Sequence, residues 1–336
     1  MSAAEAVTVA IVTFNSSDDL GECFAAIARL GHRPLRVVVV DCASSDGSVE
    51  AARRESARLL AAGIAFEVEA LADNRGFAGG MNRALARSQD PWFLTLNADA
   101  RPQADFLRRL LRRAAAHEDL QVGAVTGRLL RPEVDGVRHL DACGMRLTAT
   151  WRHLDRGSGA VDRDQWNVAD RVFGATGAAS LFRRAALDDV ALDGEIFDPR
   201  FHSFREDAEL CFRLRERGWE ILYEPTARAE HRRWNLPERR RQMPAEVNLH
   251  SLKNRYLLRA YHQTRRNFWR TLPAALLRDL LAVGYVLLRE RSSLPAFLWL
   301  WRHRREIRQR RRLIQGRRTV AAAEIDFWFG RSGAPL

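Results

Sequence analysis

Residues 7–48 read VTVAIVTFNSSDDLGECFAAIARLGHRPLRVVVVDCASSDGS, and the order of patterns inside this stretch decides the fold. Val7 to Thr13 and Arg36 to Asp41 are too continuously apolar for a sheet with one wet face, which marks strands covered on both sides. Between them, Asp18 to Leu30 carries Leu20, Phe24, Ile27 and Ala28 at helical spacing. Strand, helix, strand in this order is the repeating unit of a mostly parallel α/β sheet. Working outward, Ser45 or Ser48 can cap a helix that runs to Gly63. Phe66 to Ala70 and Trp92 to Leu96 read as further strands. Pro102 is placed to open a helix with Phe106, Leu107, Leu110, Leu111 and Ala114 on one face. From about Thr126 to Val172 the pattern weakens into mixed turns and short strands. It returns with a strand at Ala178 to Phe182, a helix from Glu206 to Arg217 closed by Gly218, and a strand at Glu220 to Tyr223. Past about Pro237 the chain turns helical and strongly basic. The expected division is an α/β unit over 1–236 and a helical, arginine-rich extension over 237–336.

The 336 residues carry a formal net charge of +12 with an ordinary apolar fraction of 46%, so a packed protein with an anionic partner is expected. Lys253 is the only lysine; the rest of the positive charge is arginine, a bias that GC-rich coding also produces. Cys23, Cys42, Cys143 and Cys211 show no metal or disulfide spacing and fit reduced thiols. No basic stretch followed by a cleavable apolar run stands at the N-terminus, and no uninterrupted apolar run reaches the length of a membrane span. The expectation is a cytoplasmic protein that at most rests on the inner face of the membrane.

Candidate chemistry collects where strands end, the place open α/β sheets put their ligands. Thr13-Phe14-Asn15 follows the first strand and Asp41 closes the second. Asp41 can hold a base N–H or a ribose hydroxyl, or simply organise the turn at Ser45; the residues leave both open. In Asn74-Arg75-Gly76-Phe77-Ala78-Gly79-Gly80, glycines allow close backbone approach and Arg75 offers a cation for a diphosphate. No GK[ST] follows, and the dinucleotide spacing is absent. Asn97-Ala98-Asp99 follows the strand WFLTL, where a carboxylate is a hard ligand for Mg²⁺ or Mn²⁺. Glu206 and Asp207 open a helix, where the dipole favours an ionised acid able to take a proton. His231 can serve a metal or a phosphate, or lie at the surface.

Taken together, VAIVTFN, VVVVDCASSDGS, NRGFAGGMN, FLTLNADA, GATGAASLFRR, FDPRFHSFREDAELCFRLRERGW and ILYEPTARAEH resemble the family 2 glycosyltransferases, in family order over about the first 235 residues. The resemblance is nearest to the rhamnosyltransferase-like branch that builds bacterial surface polysaccharide. It implies a GT-A fold, a nucleotide-diphosphate sugar donor, a divalent metal (Mg or Mn), inversion at the anomeric carbon, and a glycan or polyprenyl-linked acceptor. Thr13, Phe14, Asn15, Asp41, Arg75, Gly76 and Asn97 would then line the nucleotide, and Asp99 with His231 would serve the metal. Of the pair Glu206 and Asp207, Asp207 would be the base. Asn97 replaces the first acid of the family's Asp-x-Asp.

Two rival readings are a sugar-nucleotide pyrophosphorylase and a nucleic-acid-binding protein. The first expects a Gly-rich, Arg-containing loop after strand one, where this chain has TFNSSDD. The second expects basic residues interleaved with aromatics, which are absent, so no nucleic-acid partner is expected. In the extension, Leu272, Leu276, Leu280, Val283 and Leu287 share a helical face, widened by Leu277, Leu281 and Leu288. Arg278 and Asp279 interrupt it, which speaks against a span. With Trp299, Trp301 and the arginines from 302 to 318, it suits an anionic membrane surface or, equally, a lid on the catalytic unit.

Overall fold

Valine-rich strands that are buried on both faces can only sit in the middle of a sheet with helices on either side. The computed structural model, which describes residues 5–233 and 244–331, has this arrangement. β1 (Val7–Thr13) lies parallel to β2 (Leu35–Asp41), β2 to β3 (Ala65–Ala70), and β1 to β4 (Trp92–Leu96). The sheet continues from β4 through β11 (Ala179–Arg183), antiparallel to both its neighbours, to β6 (Val122–Leu130). β6 pairs in parallel with β12 (Glu220–His231), and β10 (Asp170–Arg171) forms the edge. The short strands β5 (Ala100–Pro102) and β7 (Leu140–Ala142) attach to β12 and β6, while β8 (Met145–Leu147) and β9 (His153–Asp155) form a separate ribbon.

The period of two along β1 divides the interior. Val7, Val9 and Ile11 face one layer, with α1 (Ser17–Ala28), α2 (Ser48–Ala61) and α4 (Phe106–Ala115). Ala10 faces the other, with α3 (Gly76–Ala86), α5 (Arg184–Val190) and α6 (Glu206–Glu216). The second layer also takes residues from α7 (Ala245–His262), α8 (Arg265–Arg289), α10 (Arg304–Gly316) and α11 (Ala322–Phe327); α9 is Pro295–Arg302. Leu257, Tyr261, Ile307, Ile314 and Trp328 are buried in the same cluster as Leu210 and Leu214 of α6. The expected boundary at 236/237 lies outside the described residues.

Three expectations are corrected. Pro102 ends β5 and opens no helix, because Ala100–Pro102 is drawn into pairing with Ala229–His231; α4 begins at Phe106. The final strand runs on to His231, past Glu224-Pro225-Thr226, which reads as a turn but is absorbed by a register shift between Glu224 and Arg228. The stretch from 126 to 172 does hold the expected short strands, β7 to β10, but it opens with the last part of a nine-residue strand, β6, buried throughout.

The arginine run is solvated only in part: Arg302, Arg305, Arg308 and Arg312 are exposed, but others turn inward. Arg310 is buried on Asp198 and Asp193, Arg311 donates to the carbonyls of Ala260, Tyr261 and Gln263, and Arg318 pairs with Glu216. His262 lies buried between Glu216 (3.1 Å) and Glu209 (3.7 Å), its ring stacked on Phe212. α8 is different. By length and composition it could cross a membrane, and little of its apolar segment is buried. Its Asp279 is nevertheless tied to α7 by Arg255 (2.9 Å) and Arg259 (2.6 Å).

Within α6, the buried pair Glu209–Arg213 (2.7 Å) bears much of this packing. Burial opposes ionisation of Glu209, but Arg213 and His262 prevail and hold its carboxyl down at about 2. A depressed acid contributes stability that is present above its unfolded value and is lost as pH falls from about 4.5 towards 2. Arg213→Met, which strands the carboxylate, is expected to cost about 3–5 kcal/mol at neutral pH. The gap to the parent protein should narrow at pH 3; denaturant midpoints at the two pH values check both statements.

Candidate active site

A cavity of about 700 Å³ opens at the carboxyl ends of β1 and β4, walled by the segments around Gly76, Thr176 and His202, by α6, and by the first turns of α7. Its best-ordered corner is made of charge. His231, the last residue of β12, donates or accepts at both ring nitrogens: Nδ1 lies 2.7 Å from Asp141 and Nε2 lies 3.2 Å from Asp99. Burial works against a charged imidazole, yet the two carboxylates lift its pKa to about 9. Arg233 continues the chain of pairs. Its backbone N–H donates to Asp99 (3.0 Å), and its guanidinium bridges Asp141 (3.0 Å) and Asp155 (2.7 Å). Burial opposes ionisation of Asp99 and Asp141 as well, but the bonds from His231 keep both below the usual carboxylate range. Asp155, also buried, is pushed up.

The same corner has the donor set for a divalent ion. Asp99 Oδ1 and His231 Nε2 stand as neighbours, as two adjacent ligands of one cation do, and a carboxylate on Nδ1 is the usual support behind a metal-binding histidine. Asn97 Nδ2 lies 3.3 Å from the same Nε2. The residues therefore fit a metal, on condition that the Nε2 proton leaves.

The other end of the cavity holds two acids at the start of α6. Asp207 accepts from the backbone N–H of Gly177 (3.0 Å) and of Ala208 (2.7 Å). Burial pushes its pKa up to about 6, against those two bonds. Glu206 is buried more poorly served: its Oε2 has no hydrogen-bond partner among the described residues, and burial with the adjacent Asp207 drives its pKa well above the usual range. Near neutral pH, Asp207 is thus mainly a carboxylate, while Glu206 holds its proton more tightly than an ordinary glutamate does.

Of the residues singled out for the nucleotide, Phe14, Asn15, Gly76 and Asn97 line the cavity. Gly76 has a φ of +65°, and a Cβ there would stand 2.4 Å from the carbonyl oxygen of His202, so only glycine fits. Thr13 and Asp41 are buried behind the lining and bond to each other at 2.7 Å; Asp41 also accepts from Ser44, which makes it the organiser of the turn. Arg75 is exposed and paired with Asp73 at 3.3 Å, away from the lining. Sequence reasoning missed Asp141, Asp155, Arg233, Arg205 and His153. Arg205 donates to His153 Nδ1 at 2.9 Å on the cavity wall. The only signal for the two aspartates was an acid set directly after leucine, in Leu140-Asp141 and Leu154-Asp155.

This geometry has relatives. The chain is 27% identical over 337 residues to an N-acetylglucosaminyl-diphospho-decaprenol L-rhamnosyltransferase of Mycobacterium tuberculosis, covering 93% of this chain and 99% of that protein. It is 24% identical over 224 residues to a poly-beta-1,6-N-acetyl-D-glucosamine synthase of Staphylococcus aureus, a match over 66% of this chain and 49% of that one. In fold it is similar to a mannosyltransferase from Pyrobaculum calidifontis in complex with GDP-Man and Mn²⁺ (TM-score 0.56, 19% identity, 97% of this chain and 88% of that chain). The sheet order and flanking helices are those of the GT-A glycosyltransferases. The family model described as glycosyltransferase like family 2 matches residues 4–271, a span that contains the cavity and the acids that line it, and the chain belongs to that family.

Proposed function

We propose that this glycosyltransferase moves a sugar, with inversion, from a nucleotide-diphosphate sugar to a hydroxyl of a polyprenyl-linked glycan during surface-polysaccharide assembly. The observation that carries the reading is Asp207, an anchored carboxylate with a raised pKa in the same cavity as Asp99 and His231. A hydroxyl is a poor nucleophile until a base takes its proton, and a base titrating near 6 is ionised at neutral pH yet still basic. The N–H groups of Gly177 and Ala208 fix both carboxylate oxygens, so the base does not have to be ordered during the reaction. Proton removal leads to direct displacement at the anomeric carbon from the face opposite the diphosphate, and one displacement inverts the centre. Asp99 and His231 would hold a divalent cation, which when bound supplies counter-charge for the departing diphosphate. Glu206 lacks such anchoring, its Oε2 having no partner among the described residues, so the role of base goes to Asp207 rather than to its neighbour.

The lipid part of the acceptor is supported by the relative that acts on a diphospho-decaprenol substrate and by the outer face of α8. Leu276, Leu277, Leu280, Leu281, Leu287 and Leu288 are all exposed there, with Trp269 at one end and Leu298 and Trp301 of α9 nearby in sequence. Exposed Arg265, Arg266 and Arg270 precede this face, and Arg289 and Arg291 follow it. An apolar face between cations is the surface an anionic leaflet attracts. The ties from Asp279 to α7 favour α8 lying on that leaflet rather than crossing it.

Asp207→Asn is expected to lower sugar transfer by about a hundred- to ten-thousand-fold with nucleotide binding retained. In the parent protein the rate should fall as pH drops through about 6 and level off above it, because protonation removes the base. A variant with near-parental turnover would move the role elsewhere. Asp99→Ala should weaken Mn²⁺-dependent binding of nucleoside diphosphate by more than about tenfold, read by titration calorimetry; undiminished turnover in chelator would remove the cation from the reaction. The full chain should co-sediment with anionic vesicles at low salt. The triple variant Leu277→Glu, Leu281→Glu, Leu288→Glu should stay in the supernatant while keeping its donor binding.

A further inference from the structure

Where α7 forms the cavity wall, a second polar cluster stands that neither the proton transfer nor the Asp99 corner uses. Its members are His202, which has a left-handed backbone (φ 61°), and His250 and Glu246 of α7. The two imidazoles stack, centroids 4.7 Å apart and planes 15° apart. One ligand atom from each of the three residues lies within 4.8 Å of the others, so by count alone the trio looks like a two-histidine, one-carboxylate cation site.

Hydrogen bonding decides against a cation. Lys253 Nζ lies 2.6 Å from the carbonyl oxygen of Arg200, 3.0 Å from His250 Nδ1, and over the face of Trp299 at 4.7 Å. A carbonyl, a lone-pair nitrogen and an aromatic face are what an ammonium points its protons at. Burial lowers the pKa of Lys253 only to about 8, so the cation remains the main form at neutral pH. Because Lys253 donates to Nδ1, the neutral imidazole of His250 carries its proton on Nε2. That Nε2–H is a donor and offers no lone pair to a metal. Among the described residues it has no acceptor within hydrogen-bond distance; Glu246 Oε1 stands 3.7 Å away on a side chain that is 75% exposed. Ser203, next to His202 on the same wall, accepts the N–H of Phe77 through Oγ and keeps its own O–H as a donor. Donors backed by a buried ammonium, beside a loose carboxylate that can swing into water, make a seat for anionic oxygen.

We propose that His250, aligned by Lys253 and stacked on His202, seats a phosphoryl group of the acceptor, the diphosphate that joins the glycan to its lipid. This rests on the polyprenyl-linked acceptor proposed above. The lipid rather than the nucleotide is favoured because α7 joins the end of α8 through a small apolar cluster. Leu252 of α7 packs with Val286 of α8 and Ala296, next to Leu249 and Tyr256, and the residues after Val286 are the exposed Leu287 and Leu288. The helix that carries His250 is thus joined to the end of α8 where the exposed leucines stand, the side on which the hydrocarbon tail is placed in this proposal.

The test measures binding of farnesyl diphosphate and farnesol to the full chain by equilibrium titration, with nucleoside diphosphate and Mn²⁺ as a separate ligand. The diphosphate should bind about ten- to a hundredfold tighter than the alcohol, the range of one or two charge-assisted hydrogen bonds. His250→Phe, which keeps an aromatic ring on His202, should erase most of that difference and leave nucleotide binding unchanged. Glu246→Gln should leave diphosphate binding equal or tighter. The seat is overturned if wild type does not distinguish diphosphate from alcohol, or if His250→Phe weakens the nucleotide instead. It is also overturned if Zn²⁺ or Mn²⁺ binds an Asp99→Ala protein through Glu246 and His250, since the site would then be one for cations. Sugar transfer is followed in parallel. A chain that binds diphosphate through His250 but transfers no sugar supports the seat and overturns the transfer reading.

Discussion

Asp99, Asp141 and Asp155 converge on one corner of the cavity, and three carboxylates brought that close repel one another strongly when little water separates them. The corner holds because His231 and Arg233, two residues apart at the end of β12, insert two positive groups between the three acids. Each of these pairs joins a different part of the chain: Asp99 follows β4, Asp141 lies in β7 and Asp155 ends β9. The charge balance is thus also the fastener that brings the ribbon and the weakly patterned middle of the chain up against the sheet. Without the cations, burial would force protons onto the acids, and the oxygen ligands required for a cation would be lost with them.

α6 performs two tasks at its two ends. Its first turn presents Glu206 and Asp207, neighbours in sequence that differ in support: Asp207 accepts the N–H groups of Gly177 and Ala208, while Glu206 Oε2 has no partner among the described residues. Its remaining length holds Glu209, Arg213 and Glu216, which receive His262, Gln315 and Arg318 from the C-terminal helices. Asp207 is therefore held in position also by contacts made a turn or more away from it, on a helix whose buried charges Glu209, Arg215 and Glu216 meet groups from other elements.

Much of the frame was legible in the sequence because it rests on local signals. An apolar run rich in valine marked β1, four consecutive valines marked β2, and acids at strand and helix ends marked Asp99 and Asp207, both of which line the cavity. What the sequence did not carry was the pairing between distant positions. Asp41 is bonded to Thr13 and Ser44 behind the cavity lining, and Arg75 pairs with Asp73 on the surface. Asp141, Asp155 and Arg233 matter only through one another, and no spacing rule connects positions so far apart. The arginines from 302 to 318 were unreadable for the same reason: whether a guanidinium meets water, lipid or a buried carbonyl depends on what the rest of the chain places opposite it.

The stapling of α10 to the catalytic layer has a consequence for ancestry. Arg310 enters the body of the enzyme to meet Asp193 and Asp198, and Arg318 meets Glu216. A tail without cations at these two positions would leave the buried acids Asp198 and Glu216 each short of one partner. Exchange of the tail alone at the apparent seam is therefore costly unless the newcomer brings matching cations, which ties its inheritance to that of the body.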